Sequence, residues 1–309
     1  MYIRQKRKRR MNLSSSHAQG CLAGLFIGDA LGAQFEFTHP QLIQRLDNIE
    51  IAMMVGGGPF FTKSGQITDD GEMALCLIHS ILEDKEYITP HTKNKYTKWA
   101  RSNPVDMGIT IRNALLNNKK DPKSESNGAL MRVAPLGIYG YNHWDRLPTL
   151  ALEDASITHC NRRVYECNYM FTCAIALMMD GTRDNIDIIS QTRHWARIYH
   201  LDNDLLNDIK TKPEDYYSCM GHVDIAFRNA FYHLNRGSSF EHSIVDTIRQ
   251  GGDTDTNAAI VGALMGAYHG IENIAQCWID KVINCKPNRP VEYHTKNLLV
   301  LADKLLTLE

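Results

Sequence analysis

Apolar residues recur along this chain mostly at intervals of three and four, the spacing that gathers them on one face of a helix. Cys21, Leu22, Leu25 and Phe26 follow it, and so do Ala74, Leu75, Ile78, Ile81 and Leu82. The same periodicity predicts further helices over about 105–117, 149–157, 162–179, 185–199, 221–235, 239–250, 256–269, 271–283 and 292–307. Punctuation residues agree with the pattern. Ser16 followed by Gln19 reads as a capping box opening the first helix. Asp69 or Asp70 reads as the cap of the second, and Gly181 and Gly251 stand where C-terminal caps belong. Strand-like alternation is scarce, with Ile49 to Val55 the one short candidate. The expectation is an all-α fold: one compact multi-helix domain over residues 15–309, preceded by a basic, disordered tail over residues 1–14.

One predicted helix has an unusual surface. Ala258, Gly262, Gly266 and Gly270 repeat every four residues, flanked by Ala259, Ala263 and Ala267. Glycine inside a helix costs roughly 1 kcal/mol relative to alanine. Its repeated use predicts that another backbone approaches this stripe closely.

Composition narrows the class. A chain of 309 residues with 43% hydrophobic and 22% charged residues is ordinary for a globular protein. No run of about 18 apolar residues supports a membrane span. The net charge of −1 hides an asymmetry: residues 1–10 (MYIRQKRKRR) hold six of the 34 Lys and Arg and no acid. The remainder is therefore acidic, which argues against a phosphate-backbone binder. Nucleic acid is a partner only through the basic head, which also reads as a nuclear address or as a solvated tail. An intracellular, cytoplasmic monomer, nuclear if residues 4–10 act as an address, is the expectation. The eight cysteines form no C-x-x-C pair and several lie in apolar runs, as reduced buried thiols do.

Three acidic clusters do not fit a solvated face: GDALGAQFE (Gly28 to Glu36), ITDDGEMAL (Ile67 to Leu75) and GGDTDTNAA (Gly251 to Ala259). Their carboxylates sit beside small or apolar residues rather than among lysines at helical spacing. Each cluster alone could be a helix cap. Together, the hydroxyls and carboxylates of Thr68, Asp69, Asp70, Asp253, Asp255 and Thr256 form a set of hard oxygen donors suited to Mg²⁺, Ca²⁺ or Mn²⁺. Divalent ions would remove the cost of burying so many acids near one another. Gly56-Gly57-Gly58 is not a phosphate loop, because no G-K-[ST] follows. The turn-rich segments Gly56 to Gly65 and Asn118 to Gly128 lie beside these motifs and are candidate site loops.

These motifs, together with GGGPF, DMGITIRNAL (Asp106 to Leu115), NGALMRVAPLG (Asn127 to Gly137) and SITHCN (Ser156 to Asn161), run in an order that resembles the ADP-ribosylglycohydrolase family. The resemblance covers nearly all of the chain from about Cys21 and leaves out the basic head. It implies an all-α hydrolase with two Mg²⁺ or Mn²⁺ ions, acting on an ADP-ribosylated protein or another ADP-ribose conjugate. The bond cut would join ADP-ribose to a side chain, arginine first and serine next. A non-enzymatic ADP-ribose-binding or crystallin-like protein is the alternative. On this reading Thr68, Asp69, Asp70, Asp253, Asp255 and Thr256 ligate metal, and Glu36, Asp69, Asp70 and Asp255 are the catalytic carboxylates. Asp106, Gly108, Asn127, Gly128, Met131, Arg132 and His159, with Thr158, would line the ADP-ribose cleft. The residues leave other roles open: Asp29 as a packing carboxylate, Asp106 as a cap, Arg132 as a structural ion pair or a partner of the diphosphate, and His159 as a core histidine. Gly71 stands where the family often has threonine, and Cys160, Asn161 and Arg162 follow the T-H pair in place of its usual turn.

Overall fold

Helical periodicity is answered by helices. The computed structural model describes the chain apart from Met1, Asp202, Asn203 and Glu309, with the backbone alone described for residues 2–12. In chain order the helices are α1 (Tyr2–Gly32), α2 (Pro40–Ile43), α3 (Asn48–Ala52), α4 (Asp69–Asp84), α5 (Thr89–Arg101), α6 (Ile109–Asn117), α7 (Ala134–Tyr139) and α8 (Leu147–Thr158), then α9 (Arg162–Met178), α10 (Asn185–Ile198), α11 (Asp204–Asn207), α12 (Val223–Arg236), α13 (Phe240–Arg249), α14 (Thr254–His269), α15 (Gln276–Asn284) and α16 (Leu298–Leu306). Among the described residues the only sheet pairs β1 (Gly56–Gly57) with β2 (Thr62–Lys63), antiparallel. No helix there is long and apolar enough to cross a membrane. The expected tail over residues 1–14 falls mostly on residues whose side chains lie outside the described ones.

At the centre α1 and α14 run antiparallel at the closest approach backbones allow. Gly20, Gly24, Gly28 and Gly32 of α1 face Gly266, Gly262, Ala258 and Thr254 of α14 in turn. A Cβ added at Gly24 would sit 2.0 Å from the Gly262 carbonyl oxygen, and one at Gly28 2.0 Å from that of Ala258. The stripe read in α14 thus has a matching stripe in α1. α12 and α13 pack on the rest of α14, and α16 on α1. Buried side chains such as Phe26, Leu25, Phe227, Phe231 and Phe240 fill the space between them.

Three local expectations are corrected. Ser16 and Gln19 do not open a helix: both lie within α1, where Ser16 bonds the Glu272 carboxylate and Gln19 Nε2 donates to Asp303 at 3.0 Å. Their spacing therefore tethers α1 to the C-terminal segments. Ile49 to Val55 is no strand: Asp47 and Glu50 form a capping box that starts α3. Neither Asp69 nor Asp70 caps α4, whose N-cap residue is Thr68 without a side-chain cap bond. The expected C-terminal stop at Gly251 is present, with φ +69° and its N–H on the Ile248 carbonyl. All eight cysteines are free, and Cys21, Cys76, Cys167 and Cys173 are buried.

Candidate active site

The antiparallel seam decides what meets at its end. Because α1 finishes where α14 begins, Asp29 and Glu36 arrive beside Asp253 to Thr256. The Thr254 hydroxyl donates to the Gly32 carbonyl at 2.7 Å and fastens the two ends.

α4 abuts this junction end-on, and Asp29 joins it there. The Thr68 N–H donates to both Asp29 oxygens at 2.9 and 3.0 Å, the Gly71 N–H donates at 2.9 Å and the Thr68 hydroxyl at 2.8 Å. A carboxylate from another helix therefore caps α4, satisfying N–H groups that its own residues leave open. Gly71 follows from this contact: a Cβ there would lie 2.9 Å from Asp29 Oδ2, Ile67 Cδ1 and Phe26 Cδ1.

Relieved of capping, the other acids point at one another. Asp70 Oδ2 and Asp255 Oδ2 lie 3.3 and 3.5 Å from Thr68 Oγ1. Glu36, Asp253 and Asp255 each bring an oxygen within 4.8 Å of the others. Asp253, at the N-cap of α14, makes no cap bond; its Oδ2 accepts from Asn127 Nδ2 at 2.7 Å. Asp255 Oδ1 accepts the Thr256 N–H at 2.8 Å. Thr68, Asp70, Asp253 and Asp255 thus meet near Glu36, and Asp69 and Thr256 line the cleft beside them.

The electrostatics of the cluster are dominated by burial. Burial pushes Asp69, Asp70 and Asp255 well above the usual carboxylate range, and their mutual repulsion adds to it. Burial raises Glu36 to about 8, with Asp253, Asp106 and Asp29 contributing repulsion. Asp29 rises to about 7, burial outweighing the hydrogen bonds from Thr68 and Gly71. Glu36 Oε2 and Asp70 Oδ1 are buried without a hydrogen-bond partner. Orphaned anionic oxygens of this kind are costly unless a cation joins them. The donors fit a hard divalent ion, since all are oxygens.

A stability prediction follows. These carboxyls bind protons more tightly folded than unfolded, where their pKa is about 4. Their stabilising contribution is complete below that value and is lost as pH rises through about 7 to 8. In chelator, the Tm is expected to fall between pH 5 and pH 8. Added Mg²⁺ or Mn²⁺ should raise it, more at pH 8 than at pH 5. A Tm in chelator that is flat over this range would remove the charge conflict.

A cleft of 420 Å³ opens onto the cluster at Glu36, Asp69, Asp253 and Thr256. Asp106, Gly108, Asn127, Gly128 and Met131 also line it, as the sequence suggests. Asp106 is not a cap, because α6 begins after Gly108 without a side-chain cap bond. Three expected cleft residues, Arg132, Thr158 and His159, lie elsewhere. Arg132 is fully buried behind the wall: Nε holds Asp154 at 3.1 Å, Nη1 donates to the Gly128 carbonyl and the Thr158 hydroxyl, and Nη2 to the Asp154 carbonyl. Its guanidinium also lies over the Tyr96 ring. Four of the Arg132 N–H groups serve the fold, and complete burial keeps the guanidinium from a diphosphate in the cleft. His159 is buried too, with Nδ1 on Thr158 Oγ1 and Nε2 on Ser126 Oγ, both at 2.8 Å. Burial and the Arg132 charge lower its pKa to about 3, so it stays neutral and braces the wall through Ser126. Glu72, the last acid of ITDDGE, is likewise structural and holds Arg289 at 2.7 Å.

Sequence reasoning missed Phe37, Ser126, Met220 and Gly221, which also line the cleft. Ser126 lies in a flagged turn-rich segment; Met220 and Gly221 carry no signal of their own. They reach the site because Asn127 N–H donates to the Gly221 carbonyl and Val223 N–H to that of Glu125.

Comparison with known proteins identifies the family. The family model described as ADP-ribosylglycohydrolase matches residues 10–309. The chain is 30% identical over 294 residues to the ADP-ribosyl-[dinitrogen reductase] glycohydrolase of Rhodospirillum rubrum, covering 92% of this chain and 96% of that one. It is 28% identical over 287 residues to the ADP-ribosylarginine hydrolase Tri1 of Serratia proteamaculans, covering 87% and 76%. A solved structure, an ADP-ribosylglycohydrolase-related protein complex, superposes with a TM-score of 0.79 at 27% identity over 96% of this chain and 99% of that one. With its helical architecture and its acidic cluster at the junction of α1, α4 and α14, the chain belongs to the ADP-ribosylglycohydrolase family of hydrolases.

Proposed function

We propose that this protein is a metal-dependent hydrolase that cuts the N- or O-glycosidic bond between ADP-ribose and a protein side chain, arginine before serine. It would thereby reverse ADP-ribosylation. The convergence of two helix starts on one buried acidic cluster carries this reading. Thr68, Asp69 and Asp70 from α4 and Asp253, Asp255 and Thr256 from α14 would hold two Mg²⁺ or Mn²⁺ ions. Divalent ions supply, when bound, polarisation of sugar hydroxyls and a water of lowered pKa.

The chain's own residues do the rest. Glu36 has a buried oxygen with no partner and a raised proton affinity, so it is suited to take a proton from an attacking water. Positive charge builds on the anomeric carbon as the bond breaks. The acids around the cleft are fixed in place to meet that charge without reorganising. Asn127 holds Asp253, and Asp29 holds Thr68. The diphosphate needs a place other than Arg132. A hollow of 730 Å³ adjoins the cleft, shares Ile109 and Thr110 with it, and carries Lys119 and Lys120. The adenosine diphosphate end belongs there.

The test is a product assay on ADP-ribosyl-arginine and ADP-ribosyl-serine peptides, with and without EDTA. Release of free ADP-ribose that stops in chelator and returns with Mg²⁺ or Mn²⁺ is expected. Turnover that continues unchanged in EDTA would end the metal assignment.

A further inference from the structure

Phe37 follows Glu36 directly and holds an unusual backbone for a bulky residue, with φ +60°. Sterics disfavour this region for L side chains, and it persists only where the surroundings impose it. Here they do: the Phe37 N–H donates to the Gly252 carbonyl at 2.8 Å, and the Gly252 N–H donates to the Thr38 carbonyl at 3.2 Å. The clamp does not bury the ring. Phe37 remains 51% exposed, edge-on to Phe60 with centroids 6.2 Å apart, and lines the cleft together with Glu36 and Asp106. An aromatic side chain held open at a site, in a strained backbone, is placed to meet a ligand.

The charge around it indicates which ligand. Glu36, Asp69, Asp106 and Asp253 line the cleft, and among the described residues no Lys, Arg or His does. Glu36 and Asp106, which lie outside the expected ligand set, line the cleft together with Phe37. An aromatic face beside carboxylates attracts a planar, weakly hydrated cation. We propose that Phe37 is a specificity-determining residue whose ring receives the guanidinium of an ADP-ribosylated arginine, favouring that acceptor over a neutral serine. This assignment rests on the hydrolase reading above.

The experiment compares wild type with Phe37→Ala, Phe37→Leu and Phe37→Tyr on arginine- and serine-linked ADP-ribosyl peptides, with inhibition by free ADP-ribose as a control. Phe37→Ala and Phe37→Leu are expected to lose about tenfold in kcat/KM on the arginine conjugate, mostly through KM. Phe37→Tyr should keep it. Serine turnover and ADP-ribose inhibition should change less than about twofold, since neither involves a cation on the ring. Equal losses on both conjugates and in ADP-ribose inhibition would make Phe37 structural and overturn the assignment. Full retention by Phe37→Leu, or a wild-type preference for serine, would overturn it as well. A wild type that releases ADP-ribose from neither conjugate would defeat the hydrolase reading itself.

Discussion

Asp69→Asn and Asp255→Asn are each expected to reduce ADP-ribose release by on the order of 10³-fold or more. Asparagine keeps the shape and one oxygen but loses the charge that a divalent ion needs. Charge stabilisation by such an ion is worth several kcal/mol in the transition state, and each 1.4 kcal/mol is about tenfold in rate. Stability should move the other way. Both carboxyls are buried among other acids and are pushed well above their ordinary range. In chelator at pH 8, each variant is therefore expected to melt no lower than wild type, and to gain less from added Mg²⁺. This pairing of lost activity with retained stability separates a site residue from a core residue. Wild-type turnover by both variants at limiting metal would sink the ligand assignment.

Gly24→Ala is expected to destabilise the whole domain by about 3 kcal/mol or more, the upper range for overpacking. The added Cβ would lie 2.0 Å from the Gly262 carbonyl oxygen and 3.1 Å from the Phe240 ring. The first obstacle is backbone and cannot rotate away, so α1 and α14 must separate. A fall in Tm on the order of 5 °C or more should follow. Activity should fall with it, because α1 carries Asp29 into the acidic junction and leads to Glu36, and α14 supplies Asp255. A Gly24→Ala protein with unchanged Tm and turnover would contradict the close seam.

Much of this was legible in the chain. Period-3.6 patterning located α8, α9, α10, α12, α13 and α14 within a few residues. It missed α5, whose TPHTKNKY start is polar and whose buried side is Thr92, Tyr96, Trp99 and Ala100. It missed α7 as well, whose 6 residues are too few to display the helical period. The glycine stripe of α14 announced a close neighbour. The neighbour was not named, although Gly20, Gly24, Gly28 and Gly32 repeat at the same interval.

The sequence by itself determined the residue types of the site: oxygens at two helix starts, a glutamate after α1, and a family pattern that orders them. Local spacing is enough for this, since helix starts and motifs are short-range properties. Only the tertiary structure decided which polar groups are free and which are occupied. Asp29 was ambiguous until the fold set it on the N-terminus of α4, which released Asp69 and Asp70 from capping. Arg132 and His159 looked like cleft residues until Asp154, Thr158 and Ser126 were seen to take their hydrogen bonds. Phe37 drew no notice in the sequence, and it is the bond from its N–H to the Gly252 carbonyl that holds it at the cleft. Most of the deciding partners lie far along the chain, as Asp154 does from Arg132 and Ser126 from His159, and the saturation of a hydrogen-bonding group depends on distance in space rather than on separation in sequence.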